Sequence, residues 1–196
     1  PLATPSVLAA GDGLGRAKNS DAARAILSSQ HACVIANPPY VLAQDKEDGQ
    51  QLKEWARARF VSATYKGDTW LLFIERGLEL LATGGQMAIL TPNSWLVNHH
   101  ASPLRELLLT DHRLDAILTV DFNAFPNASV ETIVTHITRD GPSDTHETIV
   151  ADVREDGALV ERARIEQRAW RAREDHRISL EMTEGDVSAR ELLEEL

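Results

Sequence analysis

Cysteine is almost absent from this sequence, since Cys33 is its only example among 196 residues. A single thiol cannot form an internal disulfide, and its place in an apolar run predicts a core thiol rather than a nucleophile. No apolar run approaches the roughly 18–20 residues that a membrane span needs, and no signal segment opens the chain. We therefore expect a cytoplasmic protein without a membrane partner.

Positive charge is also scarce, because 20 Lys and Arg stand against 30 Asp and Glu, a formal net charge of −10. Proteins that bind nucleic acids on their own usually carry a basic patch, so this balance argues mildly against that class. It does not exclude the class, because a local patch or another domain can supply phosphate contacts. The hydrophobic fraction of 43% is typical of a folded domain with a core.

Strands and helices alternate along the first 122 residues. The pattern predicts strands at 32–36, 86–92 and 114–122, and helices at 50–60, 68–85 and 104–111. Alternation with near-continuous apolar strands indicates a parallel, doubly wound α/β sheet.

The chain changes character after this alternating part. A strand at 129–139 follows without an intervening helix, which predicts an antiparallel hairpin at the sheet edge, and 145–154 extends the sheet. The segment 155–196 is rich in charge and poor in apolar residues, so we interpret it as a helical linker.

The segment "ACVIANPPYVLAQ" (32–44) ends an apolar strand in a rigid corner. Ligands of open α/β sheets bind at the carboxyl ends of strands, which is where this corner lies. Its prolines fix the backbone and cannot donate, so the carbonyls are left as acceptors. Asn37 adds a side-chain acceptor and Tyr40 a flat stacking surface, which together suit a planar group bearing an NH2.

The motif "NPPY" at 37–40 resembles the catalytic motif of amino-group methyltransferases, which use S-adenosylmethionine. The segment "GDTWLLFIERGLELLATGGQMAILTPNSWL" is similar to the one that follows this motif in adenine-N6 DNA methyltransferases of the gamma arrangement. That group includes the methylase regions of type I and type IIG restriction–modification enzymes. "LRELLL…LDAILTVDFNAFPNASVETIV" continues the pattern, and the resemblance covers roughly residues 7–139. It implies a Rossmann-like methyltransferase sheet.

The resemblance implies roles for residues around the target base. Asn37 and the Pro38 carbonyl would accept hydrogen bonds from the N6 amine of an adenine that is flipped out of double-stranded DNA. Tyr40 would stack on that adenine. Phe125, in "NAFPNASV", matches an aromatic residue that packs against the base from another direction.

The resemblance also implies residues that bind the cofactor. Asp12, in "AGDGL", matches an acid that contacts the adenine of S-adenosylmethionine, Phe73 packs on the same ring, and Pro39 lines the passage to the target base. No metal is expected for direct methyl transfer, and the adjacent His99–His100 are expected to face solvent. Without the resemblance, spacing alone would place Phe73 in the core and Asp12 in a Gly-rich turn. Spacing alone does not decide whether Phe125 packs within a loop or has a functional role.

The chain departs from the family pattern at both ends. Only eleven residues precede Asp12, so the central strands and the cofactor loop expected upstream are missing. We therefore interpret 1–154 as the catalytic half of a methyltransferase domain and 155–196 as a linker towards a target-recognition region. The isolated chain is expected to be inactive, and the remainder of a longer polypeptide or a partner subunit would complete the sheet.

Two alternatives remain beside the DNA methyltransferase of a restriction–modification or phage-defence system. The same corner occurs in methyltransferases that act on RNA or on a protein glutamine. A non-catalytic remnant that serves as a scaffold is the alternative from a different class.

Overall fold

The structure of the chain is a computed structural model that describes residues 28–40, 49–64, 68–120 and 131–181. The strands in these ranges are β1 (His31–Ala36), β2 (Leu81–Pro92), β3 (Arg113–Val120), β4 (Thr132–Thr138), β5 (Glu147–Val153) and β6 (Leu159–Glu166). The α-helices are α1 (Gly49–Arg57), α2 (Thr69–Leu80), α3 (Ser102–Asp111) and α4 (Gln167–Arg171), and short 3-10 helices span Asn93–Leu96 and His99–Ala101. None of the helices in these ranges is long and apolar enough to cross a membrane.

The strands form one mixed sheet in the order β1-β2-β4-β3-β5-β6. β1 pairs with β2 and β3 pairs with β5 in parallel, whereas the β2–β4, β3–β4 and β5–β6 pairs are antiparallel. β1, β2, β3 and β5 therefore run in one direction, and their carboxyl ends lie along the same edge of the sheet. We call this edge the carboxyl edge.

The main core lies on one face of the sheet. The register places fully buried apolar side chains side by side on neighbouring strands, among them Met87, Ile89, Leu114, Ile117, Ile133 and Ile137. Ile74 and Leu78 of α2 and Leu104 and Leu108 of α3 belong to the same cluster. The apolar spacing that predicted these helices from the sequence is therefore the spacing that packs them on the sheet.

The expected strands and helices up to residue 154 are present, with two differences. α2 ends at Leu80 and β2 begins at Leu81, rather than a helix running to the glycines at 84 and 85. A Cβ at Gly85 would come within 2.9 Å of the His31 carbonyl oxygen, so this glycine permits close approach of the neighbouring strand. The β3–β4 pair is antiparallel as expected, but it lies inside the sheet, because β5 and β6 extend the sheet beyond β3.

The helix expected in the charged segment after residue 155 is wrong for residues 159–166, which form β6. The charged side chains of this segment alternate with Val160, Ala163 and Ile165, which face the sheet's interior or lie half-buried, as an edge strand allows. Trp170 of α4 is fully buried in the main core. Residues 159–171 therefore pack with the residues before them, while the proposed division at residue 154 stays a prediction.

The expectation of a core thiol at Cys33 is also wrong, since this residue is exposed. On β1, Val34 and Ala36 pack against the main core, while Ile35 on the opposite side is 81% exposed. β1 is the first strand of the sheet and pairs only with β2 among the described residues. An edge strand leaves such side chains uncovered unless another segment lies against it.

Arg105 of α3 is fully buried and binds backbone carbonyls in two separate segments. Its Nη1 donates to the carbonyl oxygens of Trp95 at 2.6 Å and Asn98 at 2.7 Å. Its Nη2 donates to the Asp175 carbonyl at 2.7 Å and its Nε to that of His176 at 3.0 Å. Burial lowers the pKa of Arg105, and the nearby Asp175 carboxylate acts in the opposite direction. The guanidinium thus joins the loop after β2 to the segment after α4.

We expect Arg105→Met to lower the free energy of unfolding by about 3 kcal/mol or more, because several buried carbonyl oxygens lose their donor. The measurement is the urea midpoint of the whole chain, with the denaturant slope as a check on compactness. Arg57→Met is the matched control, since Arg57 is exposed at the end of α1, and it should change stability by less than about 0.5 kcal/mol. Equal effects of the two substitutions would contradict this account of Arg105.

Candidate functional site

The corner at residues 37–40 lies at the carboxyl edge of the sheet. Ala36, the last residue of β1, pairs with Ile89 of β2. Asn37 therefore lies beside the last residues of β2, which ends at Pro92. β3 ends at this edge with Val120, and β4 begins there because it runs in the opposite direction. The corner thus lies at the same edge of the sheet as the ends of β2 and β3 and the start of β4, as expected for a ligand site in an open sheet.

The corner exposes the groups that the sequence singled out. Asn37 and Pro39 are exposed and Tyr40 is 40% exposed, while Pro38 is buried and anchors the turn. Partial burial raises the pKa of Tyr40 above its ordinary value, so its phenol stays neutral at physiological pH. The result is a rigid loop with an amide and an aromatic ring presented together.

The first residue of α2 holds the corner in place. Thr69 Oγ1 donates a hydrogen bond of 3.2 Å to the carbonyl oxygen of Pro39. Sequence analysis missed this residue, because a threonine at a helix start is an ordinary N-terminal residue and its partner lies 30 residues away. The bond occupies the Pro39 carbonyl and ties the corner to a helix that is packed on the core.

Phe73 stands one helical turn after Thr69, the residue of α2 that contacts the corner. Phe73 is 46% exposed, although most of its neighbours on α2 are buried. Spacing alone would place Phe73 in the core, whereas the structure leaves part of its ring open to solvent.

A pair of polar residues, Asn93 and Glu131, joins the end of β2 to the start of β4 next to the corner. Asn93, just after β2, donates from its side chain to Glu131 Oε2 at 2.7 Å and from its backbone to the Glu131 carbonyl at 3.0 Å. These bonds fix the end of β2 against the start of β4. Sequence reasoning missed both residues. The position of Asn93 directly after an apolar strand could have indicated it, whereas Glu131 has no such signal.

The structure brings together part of the expected site. Asn37, Pro38, Pro39 and Tyr40 form one corner, and Phe73 lies one helical turn from its anchor. Asp12 and Phe125 lie outside the described residues. His99 and His100 form an exposed 3-10 helix, as expected for solvent-facing residues.

A model of a known protein family matches more than half of the chain. The model of the family described as "Eco57I restriction-modification methylase" matches residues 16–125, which include the corner, α2, β2 and α3.

Two curated relatives match a larger part of the chain. The type II methyltransferase M.XhoI of Xanthomonas vasicola is 33% identical over 138 residues, 68% of this chain and 25% of the relative. The type II methyltransferase M.PaeR7I of Pseudomonas aeruginosa is 31% identical over 121 residues, 61% of this chain and 21% of the relative. The chain therefore spans about a quarter or less of the length of these relatives.

Solved structures share the fold. A class I S-adenosylmethionine-dependent methyltransferase from Listeria monocytogenes, described as putative, has a TM-score of 0.51 and 16% identity over 63% of this chain and 37% of its own. The type IIL restriction-modification enzyme MmeI, solved in complex with DNA, has a TM-score of 0.51 and 16% identity, over 68% of this chain and 18% of its own. The expected Rossmann-like methyltransferase sheet, present in part, is thereby confirmed.

Proposed function

This chain belongs to the Eco57I restriction-modification methylase family, and from that premise we propose that it carries the catalytic corner of a DNA methyltransferase. The proposed reaction moves a methyl group from S-adenosylmethionine to the N6 amine of an adenine that is flipped out of double-stranded DNA. The observation that carries the proposal is the exposed, anchored corner formed by Asn37, Pro39 and Tyr40 at the carboxyl edge.

The chemistry required of the corner follows from the amine. The lone pair of an aromatic amine is delocalised into its ring, which makes the nitrogen a poor nucleophile. Asn37 Oδ1 and the Pro38 carbonyl oxygen would accept hydrogen bonds from the two N–H groups of the amine. These bonds would favour the pyramidal nitrogen of the transition state. The nitrogen forms the new N–C bond as the sulfonium C–S bond breaks, and it then releases a proton to water.

The anchoring of the corner supports the proposal. Thr69 donates a hydrogen bond to the carbonyl oxygen of Pro39 and so ties the corner to α2. Preorganised acceptors need not reorient during the reaction, which is the main source of their catalytic effect. The neutral phenol ring of Tyr40 would supply the stacking surface for the adenine.

The cofactor assignment has its own support in this structure. Pro39 is exposed and the ring of Phe73 is half exposed, so both can offer apolar surface to a planar adenine ring. We propose that these two residues form one wall of the S-adenosylmethionine site. Bound there, the cofactor supplies an electrophilic methyl group. Asp12 and Phe125 keep their proposed roles, in cofactor and base binding, on the strength of the resemblance.

The exposed side of β1 supports completion of the sheet by another segment. Ile35 and Cys33 are uncovered on one face of β1, and Phe73 of α2 is half exposed. We propose that the remainder of a longer polypeptide, or a partner subunit, lies against β1 and supplies the rest of the cofactor site. The same observation is compatible with the alternative that the chain is a remnant without activity of its own. No observation specifically supports action on RNA or on a protein glutamine.

We expect Asn37→Ala to lower methyl transfer to DNA adenine by about a hundredfold or more, because one preorganised acceptor is lost. The measurement is incorporation of labelled methyl groups by the active enzyme that contains this chain. Cofactor affinity, measured by calorimetry, should be largely spared. Thr110→Ala, at an exposed position of α3, is the control. Unchanged turnover of Asn37→Ala would refute the proposed function. Methyl transfer to RNA and to glutamine-containing peptides is assayed alongside to test the alternative substrates.

Thr69 provides a second prediction about the same corner. Thr69→Val keeps the shape of the side chain but removes the bond to Pro39, so we expect kcat to fall about two- to tenfold. Thr69→Ser keeps the hydroxyl and is the matched control, with kcat near that of the parent enzyme. A similar loss in both variants, or a change confined to KM, would show that the hydrogen bond does not position the corner.

A further inference from the structure

The segment after α4 (residues 172–181) is bonded to the loop after β2 (residues 93–98). The backbone amide of Ile178 donates a hydrogen bond of 2.9 Å to the carbonyl oxygen of Leu96. Both side chains are buried in the main core. The loop follows β2 directly at the carboxyl edge, so the segment after α4 reaches the edge of the sheet that carries the corner.

Arg105 forms a second link between the same two parts of the chain. It donates to the carbonyl oxygens of Trp95 and Asn98 in the loop. It also donates to those of Asp175 and His176 in the segment. A guanidinium presents its N–H donors in a fixed planar arrangement. The loop and the segment therefore keep their relative positions as long as both pairs of carbonyl oxygens stay in place.

The turn at His176 directs two consecutive carbonyl oxygens towards the guanidinium. The φ angle of His176 is 53°, and within the described ranges all other positive φ angles belong to glycines. Asp175 Oδ1 accepts a hydrogen bond of 3.1 Å from the backbone amide of Arg177 across this turn. A left-handed conformation is unfavourable for most side chains and favours glycine or asparagine. Its presence at a histidine indicates that the surrounding contacts determine the turn.

The loop after β2 borders an open space on the side away from these links. A cavity of about 390 Å³ is lined by Ser94 and Asn98 of the loop and by Asp68 and Trp70 at the start of α2. Thr69, which holds the corner, lies between the last two. Packing fixes atoms only where neighbours fill the space around them. On the side of the cavity, the position of the loop therefore depends on its hydrogen bonds to the guanidinium and to the segment after α4.

We propose that Arg105 and the turn at His176 are positioning elements of the methyltransferase site, which act by fixing the loop after β2 beside the corner. This inference rests on the proposed function. The loop continues β2, the strand that pairs with β1, and lies across the cavity from the start of α2 that anchors the corner. A displaced segment would move the loop and change the surroundings of the target base. The proposed cofactor residues, Pro39 and Phe73, do not belong to this loop.

The test compares two substitutions of His176 in the active enzyme that contains this chain. His176→Val places a β-branched side chain at the left-handed position and opens the turn, whereas His176→Gly keeps both the conformation and the carbonyl oxygen. We expect His176→Val to lower kcat for methyl transfer about fivefold or more, with KM for S-adenosylmethionine within about twofold of the parent value. His176→Gly should keep kcat near that of the parent enzyme. Equal losses in both variants would assign the effect to the imidazole and overturn the proposal.

Amide hydrogen exchange in the same proteins reports the position of the loop. The amide of Ile178 is bonded to the loop, and those of Val97 and Asn98 are bonded to the Ser94 carbonyl oxygen within it. We expect these amides to exchange about tenfold faster or more in His176→Val and at the parent rate in His176→Gly. Faster exchange in His176→Val with an unchanged kcat would overturn the proposal, and so would a lower kcat without faster exchange.

Val150→Ala is the control for a general loss of stability. Val150 is fully buried on β5, which β3 and β4 separate from β2. This variant should lower the urea midpoint but leave kcat and the exchange of the loop amides unchanged under conditions where it is folded. Ser102→Ala is a milder change in the segment's attachment, because it removes only the 3.1 Å hydrogen bond from Ser102 Oγ to the Asp175 carbonyl oxygen. We expect it to lower kcat about twofold.

The outcome for the loop is separable from that of the proposed function. Asn37→Ala tests the catalytic role of the corner, whereas the two His176 variants test the positioning of the loop. Unchanged turnover in Asn37→Ala together with a loss in His176→Val that glycine restores would reject the proposed role of the corner and keep the positioning role. A loss of kcat in Val150→Ala equal to that in His176→Val would overturn the positioning role and leave the proposed function standing.

Discussion

The parallel pairing of β1 with β2 is the constraint on which the site depends. It places Ala36 opposite Ile89, so that the chain leaves β1 beside the last residues of β2. A shift of one residue would turn Val34 and Ala36 away from the core and carry the corner to a different level. The register is held by these two side chains, which pack against the main core on one face, and by α2, which contacts both strands.

Two buried charges maintain the surroundings of that pairing. Glu75 of α2 accepts hydrogen bonds from the backbone amides of Val61 and Ser62, and Arg105 donates to the carbonyl oxygens of Trp95 and Asn98. Burying a charge is unfavourable unless hydrogen bonds compensate it, and here several short ones do. The loop after α1 and the loop after β2 therefore keep a fixed shape although neither belongs to a strand or an α-helix.

The sequence predicted what depends on local pattern and missed what depends on distant contacts. The apolar spacing of α2 and the continuous apolar run of β1 were sufficient for both elements, and the Pro-Pro corner indicated the strand-end site. β6 was missed because its charged, half-buried edge pattern has the composition of a solvated helix. Thr69, Glu131 and Arg105 act on partners far away in the sequence, and no spacing rule reveals such partners before the fold is known. Exposure of Cys33 likewise follows from which strand lies at the edge.

The two sides of the corner differ in how completely the described residues form them. On the side of β2, the loop that holds Asn93 and Trp95 is bonded to Glu131, just before β4, and to Arg105 of α3, so its shape is fixed within the described residues. On the side of β1, Ile35 is exposed, and so is part of the ring of Phe73 on α2. Apolar surface of this kind is stabilised by a covering segment. Under the proposed function, affinity for the cofactor therefore depends on what lies against β1, whereas the shape of the corner does not.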